Sequence, residues 1–324
     1  MQVLGLDIGG ANLKAAHTAG LAVSRPFALW RNPERLADEL RSVIAAMPSA
    51  ERIALTMTGE LCDCFADRRQ GVSHILDSIE RIHDCSYVDV WTTHGHFVTV
   101  HQARHDWQAS ASANWLALAT FAGRIAPPGF SLLVDIGTTT TDILLLHDGF
   151  PQPLGRTDRE RLRCGELLYR GWRRTPLTTL YPEGAAELFA TMHDVCLVLW
   201  PHLENPADTD TADGQPATRA AAMRRLARMQ GAEIDDAPES EWLAFAEEML
   251  ARYRRDMQRC VRRVLSRIPH EPIVAGISSG SGEWLLAGFD LGVDAWVSLN
   301  AHFSPEVSAA ACAYAVAVLR AEAR

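Results

Sequence analysis

Apolar and polar positions along this chain follow helix and strand rhythms, and two stretches interrupt a strand rhythm in the same way. "VLGLDIGGANLK" (3–14) is an apolar run that stops at Asp7, turns through Gly9 and Gly10, and resumes after Asn12. "LLVDIGTTTTDI" (132–143) repeats the design with Asp135, Gly137, the hydroxyl series Thr138, Thr139, Thr140 and Thr141, and then Asp142. Asp135 stands 128 positions after Asp7. Two strand–turn–strand units of one design predict two β-hairpins, and with them two similar lobes facing each other.

Elsewhere the periods alternate. Leu36, Leu40, Val43, Ile44 and Met47 fall at helical spacing and predict a helix over 33–47. A strand over 52–59, a helix over 71–83, a strand over 87–91 and a helix over 112–125 follow, and this alternation argues an α/β fold. The polar, Pro-, Asp- and Thr-rich stretch 201–217 predicts a loop. Helices are expected over 218–230 and 240–268, the longer one striped by Trp242, Phe245, Met249, Tyr253, Met257, Cys260, Val264 and Ile268. Residues 272–288 read as strand, Gly/Ser turn and helix, and 295–299 as a strand. The Ala-rich stretch 304–321 reads as a closing helix with Ser304 as N-cap and Pro305 behind it. The expected division is a first lobe over 1–127 and a second over 128–324, the latter carrying a helical insertion around 183–268.

Composition narrows the function classes. With 48% hydrophobic residues in 324, the chain can bury a sizeable core. A net charge of −9 gives no general attraction to nucleic acid or anionic membrane, so any phosphate must be held by a local device. No run of about 18 apolar residues is present, and the start lacks a basic stretch before an apolar one; a cytoplasmic protein is expected. The seven cysteines are an odd number and scattered, as reduced thiols are. The oligomeric state stays open, a homodimer being one option.

An Asp-x-Gly turn at a strand end suits anion chemistry. Glycine permits a tight turn that brings N–H groups close to an anion, and Ser or Thr hydroxyls add donors without bulk. The aspartate can hold a hydrated Mg²⁺, which prefers one or two carboxylates plus phosphate oxygens. Asp7 and Asp135 are therefore the candidate metal ligands and catalytic acids, with phosphate donors at Gly9, Gly10, Asn12, Gly137, Thr138, Thr139 and Thr140. The turn holding Gly280 and Ser281 makes a third such device. His94, His96, His101 and His105 admit a metal site, with His94 and His96 on one strand face, or simply scattered polar histidines. Cys62 and Cys64 lack zinc-knuckle spacing and read as buried thiols near the active loop. The arginines between 252 and 267 lie opposite the apolar stripe and read as a solvated helix face.

The motifs carry a family resemblance. "LDIGGANLK" resembles the first phosphate motif of the actin, Hsp70 and sugar-kinase superfamily, "VDIGTTTTD" the second, and "IVAGISSGSG" the turn on the adenosine side. The fold implied is a two-lobed actin-like ATPase (ribonuclease H-like) α/β fold with duplicated β-hairpin phosphate loops. Within it, DIGTTTTD resembles the hydantoinase A/oxoprolinase group. "TMTGELCDCFADRRQGV" (56–72), "SANW" (112–115), "GELLYRGWRRTPL" (165–177) and "TADGQPATRAAAMRRLARMQGA" (211–232) resemble a short subfamily associated with tetrahydromethanopterin-linked one-carbon transfer. That subfamily includes a methanofuran-biosynthesis synthase.

The resemblance implies an alkyl/aryl transfer in methanofuran or methylofuran assembly. An (aminomethyl)furanmethyl diphosphate would condense with γ-glutamyltyramine, or a tyrosine-type phenol, and release diphosphate. Mg²⁺ at Asp7 and Asp135 would help neutralise the leaving group, and Lys14 either touches phosphate or is an ordinary strand lysine. The phenol needs a base; Glu60, Asp63 and Asp142 are candidates, each equally readable as a cap or ion-pair partner. Arg173 and Arg174 would clamp the glutamyl carboxylate or the diphosphate, or form a solvated basic pair. Glu166 would meet the aminomethyl cation. The competing readings are an ATP-dependent kinase or oxoprolinase-type amide hydrolase, and a ligand-binding regulator without turnover. ATP is the less favoured ligand, because Trp284 stands to crowd an adenine and the chain is short for an oxoprolinase; a regulator would not need both aspartates.

Overall fold

The computed structural model describes residues 1–323. Its first sheet is built from β1 (Val3–Ile8), β2 (Asn12–His17), β3 (Ala22–Pro26), β4 (Arg52–Met57), β5 (Val88–Trp91) and β6 (Phe97–Thr99), in the order β3-β2-β1-β4-β5-β6. The second uses β7 (Phe130–Ile136), β8 (Thr141–His147), β9 (Phe150–Pro151), β10 (Leu167–Leu168), β11 (Ile273–Ser279) and β12 (Trp296–Ser298), ordered β10-β8-β7-β11-β12 with β9 beside β8. The two sheets repeat one plan. An antiparallel hairpin comes first (β1 with β2, β7 with β8), and two parallel strands then extend the sheet on its far side (β4 and β5, β11 and β12). Even the neighbours match: Thr56 lies beside Asp7, and Ser279 beside Asp135.

Helices cover the sheets. The first half has α1 (Leu36–Ala45), α2 (Arg68–Glu80), α3 (Val100–His105), α4 (Trp107–Ser110) and α5 (Asn114–Ala122). The second has α6 (Asp158–Cys164), α7 (Met192–Leu199), α8 (Arg219–Met229), α9 (Glu239–Leu265), α10 (Pro305–Ala309) and α11 (Ala311–Glu322). Leu6, Ile8, Leu55 and Met57 pack on the apolar faces of α1 and α2, while Val134 and Ile136 join the core of α7, α8 and α9. Burying each such side chain stabilises the fold by about 1.5–3 kcal/mol. The expected stripe of α9 is buried through Trp242, Phe245, Met249, Tyr253, Met257 and Val264.

A third core joins the lobes. Val3, Ala54, Leu133, Leu144 and Ile277 pack with α5 and with the alanines of α11. The closing helix, grouped by the sequence pattern with residues 128–324, therefore also covers the first sheet. Its small side chains allow a very close approach: a Cβ on Gly5 of β1 would sit 1.8 Å from the Ala313 carbonyl oxygen.

Three local expectations are corrected. The closing helix is broken at Ala310, whose backbone (φ −118, ψ 29) leaves the helical region. The helix expected after the late Gly/Ser turn shrinks to one 3-10 turn, Glu283–Leu286. His94 and His96 lie in the turn between β5 and β6 and not in a strand, because Gly95 (φ +83) reverses the chain there.

Candidate active site

The two Asp-x-Gly turns have the same internal bond at equivalent positions. The Gly9 N–H donates to the Asn12 carbonyl at 3.0 Å, and the Gly137 N–H to the Thr140 carbonyl at 2.8 Å. Among the described residues, the N–H groups of Gly10, Ala11, Thr138 and Thr139 donate to no protein acceptor. Backbone donors left free at a tight turn form an anion-binding concavity.

Both turns line one cleft of about 400 Å³. Asp7, Lys14, Asp135, Asp142, Asp158, Arg161 and Arg174 supply its charge, and Ser112 with Thr138, Thr139 and Thr140 hydroxyls. Trp30, Leu61, Trp115 and Tyr169 give it an aromatic and apolar side. Trp30, Leu61 and Tyr169 are 39%, 42% and 58% exposed, far more than residues placed for the core. Two larger surface grooves, of about 620 and 610 Å³, contain none of the duplicated residues. The larger runs along α9, where Arg252 is tied to Glu183 and Glu248 and Arg259 to Asp256, as a solvated helix face would be.

Burial sets the electrostatics. It pushes the Asp7 carboxyl above its ordinary range, with Lys14 opposing. Asp135 is pushed up to about 7, first by burial and then by the charge of Asp142. Asp142 is also raised by burial, against the pull of Arg161, its ion-pair partner at 2.7 Å. Cys312, on α11, is raised far above the usual thiol value by burial and by Asp7 and Asp135 together. The thiol thus marks the point where the acids of both hairpins meet.

These acids suit a hard cation. The Asp7 Oδ1 is buried and has no hydrogen-bond partner, so a ligand oxygen is available. Among the described residues no three His, Cys, Asp or Glu side chains gather around one metal position. A magnesium ion held by Asp7 and Asp135 would therefore take its remaining oxygens from substrate and water, as that ion prefers.

The other predicted residues divide. Glu60 is buried behind the cleft and accepts a 2.7 Å hydrogen bond from Ser112. Arg174 lines the cleft. Asp63 is exposed and lies outside the lining. Glu166 is fully buried, accepts the N–H groups of Leu154 and Gly155, and pairs with Arg267 at 2.6 Å. It braces a loop and does not line the cleft. Arg173 is turned to Asp208, with bonds of 2.8 and 2.9 Å, and ties down the polar 201–217 loop. Gly280 and Ser281 are likewise outside the cleft lining. A Cβ on Gly280 would fall 2.6 Å from the Asp135 Oδ1, so this turn backs the acid, and Ser281 accepts from the Trp172 indole. His94 pairs with Asp106 at 3.1 Å and stacks on His96 in an exposed turn. Cys62 sits against Gly10 of the first turn, but the two thiols are not buried as expected: Cys62 is half-buried and Cys64 exposed, because the turn that carries them lies at the surface.

Sequence reasoning missed Trp30, Asp158, Arg161, Tyr169 and Cys312 as cleft residues. Ser112, Asn114 and Trp115 were visible only as the motif "SANW". Arg161 is the most telling omission: it is buried, its guanidinium carbon lies 3.9 Å from the Trp115 ring centre, and it holds Asp142.

The hydantoinase/oxoprolinase family model matches residues 51–169, which include the second hairpin. A (4-{4-[2-(gamma-L-glutamylamino)ethyl]phenoxymethyl}furan-2-yl)methanamine synthase from Methanocaldococcus jannaschii is 29% identical over 98% of this chain and 97% of its own. A protein of the same name from Methanococcus vannielii is 35% identical over 36% of this chain and 56% of its own. Among solved structures, a nucleotide-free acetone carboxylase covers 98% of this chain and 70% of its own with a TM-score of 0.52 at 12% identity, a likeness of fold. Taken with the duplicated hairpins and their shared cleft, the chain is similar over nearly its whole length to the named synthase and, over residues 51–169, to the hydantoinase/oxoprolinase family.

Proposed function

We propose that this protein is a transferase of methanofuran-type biosynthesis, joining an (aminomethyl)furanmethyl diphosphate to the phenol of γ-glutamyltyramine with release of diphosphate. The observation that carries the reading is one cleft that combines two anion-binding turns with an aromatic rim. A diphosphate ester of an aromatic methylene needs both. The near-full-length likeness to a named synthase supports it.

The free N–H groups of Gly10, Ala11, Thr138 and Thr139 and the threonine hydroxyls would grip the diphosphate, with Lys14 adding positive charge. Mg²⁺ bound by Asp7 and Asp135 would supply further neutralisation of the leaving oxygens. Trp30 and Tyr169 would stack on furan and phenol and keep water from the methylene carbon as it gains positive charge. Arg174, which lines the cleft, would meet the glutamyl carboxylate. With Asp63 outside the cleft lining and Asp142 paired with Arg161, Glu60, which forms no ion pair among the described residues, is the favoured base candidate.

Incubation with both substrates and Mg²⁺ should release diphosphate and form the aryl ether, and Asp7→Ala and Asp135→Ala should abolish both. The second reading, ATP use, is weakened by Trp284, which packs against Trp172 and Trp200 at 6.0 and 4.9 Å beside the third turn. A thermal shift with diphosphate and Mg²⁺ but none with ATP is expected; the reverse result would overturn the proposal.

A further inference from the structure

Ser112 is held in an uncommon conformation. Its φ is +47, in the left-handed region that non-glycine residues rarely adopt and that costs of order 1 kcal/mol or more. The twist aims its hydroxyl at two carboxylates from distant parts of the chain. The Oγ lies 2.7 Å from Glu60 Oε1 and 3.3 Å from Asp158 Oδ2. A serine has one proton to give, so the two acids compete for it. Asp158 already has a cation, Arg68, at 2.7 Å. Glu60 forms no ion pair among the described residues, and its Oε2 is buried without a hydrogen-bond partner.

Position separates the three. Ser112 and Asp158 line the cleft, whereas Glu60 lies behind it and is 1% exposed. Glu60 reaches the cleft only through the serine. Its own place is fixed by backbone packing, since a Cβ on Gly71 of α2 would fall 2.4 Å from the Glu60 carbonyl oxygen. The charged and titratable groups facing Glu60 are Arg68 of α2, Asp158 of α6 and the Cys62 thiol of its own turn.

We propose that Ser112 is a catalytic proton carrier, passing the acceptor phenol's proton to Glu60 while Asp158 and Arg68 hold the serine in place. The inference rests on the transferase reading. The phenol oxygen forms the new bond to the methylene carbon, and the carbon–oxygen bond to diphosphate breaks with its electron pair on the leaving group. The phenolic proton moves to Ser112 Oγ as the serine's own proton moves to Glu60, which later releases it to water. Glu60, raised by burial to about 7, is then half ionised near neutrality and suited to accept a proton there.

The test is the pH dependence of diphosphate release by the full-length protein. In the wild type kcat should rise through an apparent pKa near 7. Glu60→Gln and Ser112→Ala should each lower kcat roughly 100-fold and lose that limb, with KM for the diphosphate within about twofold. Both variants should keep the thermal shift with diphosphate and Mg²⁺, which shows a folded cleft. Glu60→Asp, which retains the carboxylate, should recover part of the rate. If the wild type turns over while both variants keep kcat or the alkaline rise, the proton path is wrong and the transferase reading stands. If the wild type releases no diphosphate, the transferase reading fails and the proton path fails with it.

Discussion

Asp7 faces Lys14 across the first hairpin, whereas Asp135 faces Asp142 across the second. Lys14 and Asp142 hold equivalent places in the two hairpins, which share one shape but carry opposite charges there. The cleft therefore has an acid–cation rung on one side and an acid–acid rung on the other. Lys14→Met should weaken diphosphate binding roughly 10- to 100-fold, the worth of a hydrogen bond to a charged group. Titration calorimetry with diphosphate and Mg²⁺ measures this directly. Unchanged affinity would return Lys14 to the status of an ordinary strand lysine. Asp142→Asn should bring the Asp135 carboxyl down from about 7, because the charge of Asp142 is the second cause of its elevation.

Stability should fall with rising pH over a defined window. Glu60 moves from its ordinary 4.5 to about 7 on folding, and Asp135 from 3.8 to about 7. A raised carboxyl holds its proton in the folded protein after the unfolded chain has lost it. Its contribution is thus complete only below the unfolded value, 4.5 for Glu60 and 3.8 for Asp135, and is lost as pH climbs through about 7. For Glu60 the loss is on the order of 3 kcal/mol. Thermal unfolding at pH 5, 6.5 and 8 should show a declining Tm, and Glu60→Gln should flatten part of the decline. A pH dependence of Tm left unchanged by Glu60→Gln would show that Glu60 is not held protonated.

What the sequence revealed and what it hid have different physical causes. The hairpins around Asp7 and Asp135 were legible because a carboxylate and glycine at the end of an apolar strand conflict with simple burial. Such conflicts stand out in the chain itself. The cleft position of Arg161 was invisible because an arginine in a short polar helix looks the same solvated or buried. Its burial depends on Trp115 and Asp142, contributed by other elements. Glu166 erred in the opposite sense. Its charge in a family-like motif suggested ligand binding, but two backbone donors and Arg267 already satisfy it. The break at Ala310 was hidden because an Ala-rich stretch has high helix propensity throughout, and packing decides where it turns.

The closing helix offers a test of how the lobes are joined. Gly5→Ala places a methyl group 1.8 Å from the Ala313 oxygen and 3.0 Å from the Ala317 nitrogen, and both are backbone atoms that no side-chain rotation can move. The helix must shift as a body. The substitution should cost at least the 1–3 kcal/mol typical of overpacking. It should also lower kcat, because Cys312 on that helix sits beside the acids of both hairpins. Denaturant melts together with diphosphate-release rates check both parts. Wild-type stability in Gly5→Ala would mean that α11 packs less closely on β1 than described.

Arg173 and Arg174 are neighbours in the chain with different surroundings. Arg173 is engaged by Asp208, while Arg174 lines the cleft and has only the exposed Asp210 at 3.6 Å. Arg174→Gln should therefore raise KM for the carboxylate-bearing acceptor by about tenfold with little change in Tm, as for an exposed cation whose partner is the ligand. Arg173→Gln should do the reverse, loosening the 201–217 loop and lowering Tm while KM stays put. Glu166→Gln leaves Arg267 without its counter-ion at a fully buried partner, so the loss should again be in stability, about 3 kcal/mol, with KM unchanged. Steady-state kinetics and melting of the three variants separate the roles. An increase in KM from Glu166→Gln at unchanged Tm would restore that residue to the substrate site and remove the bracing role given to it by its backbone partners.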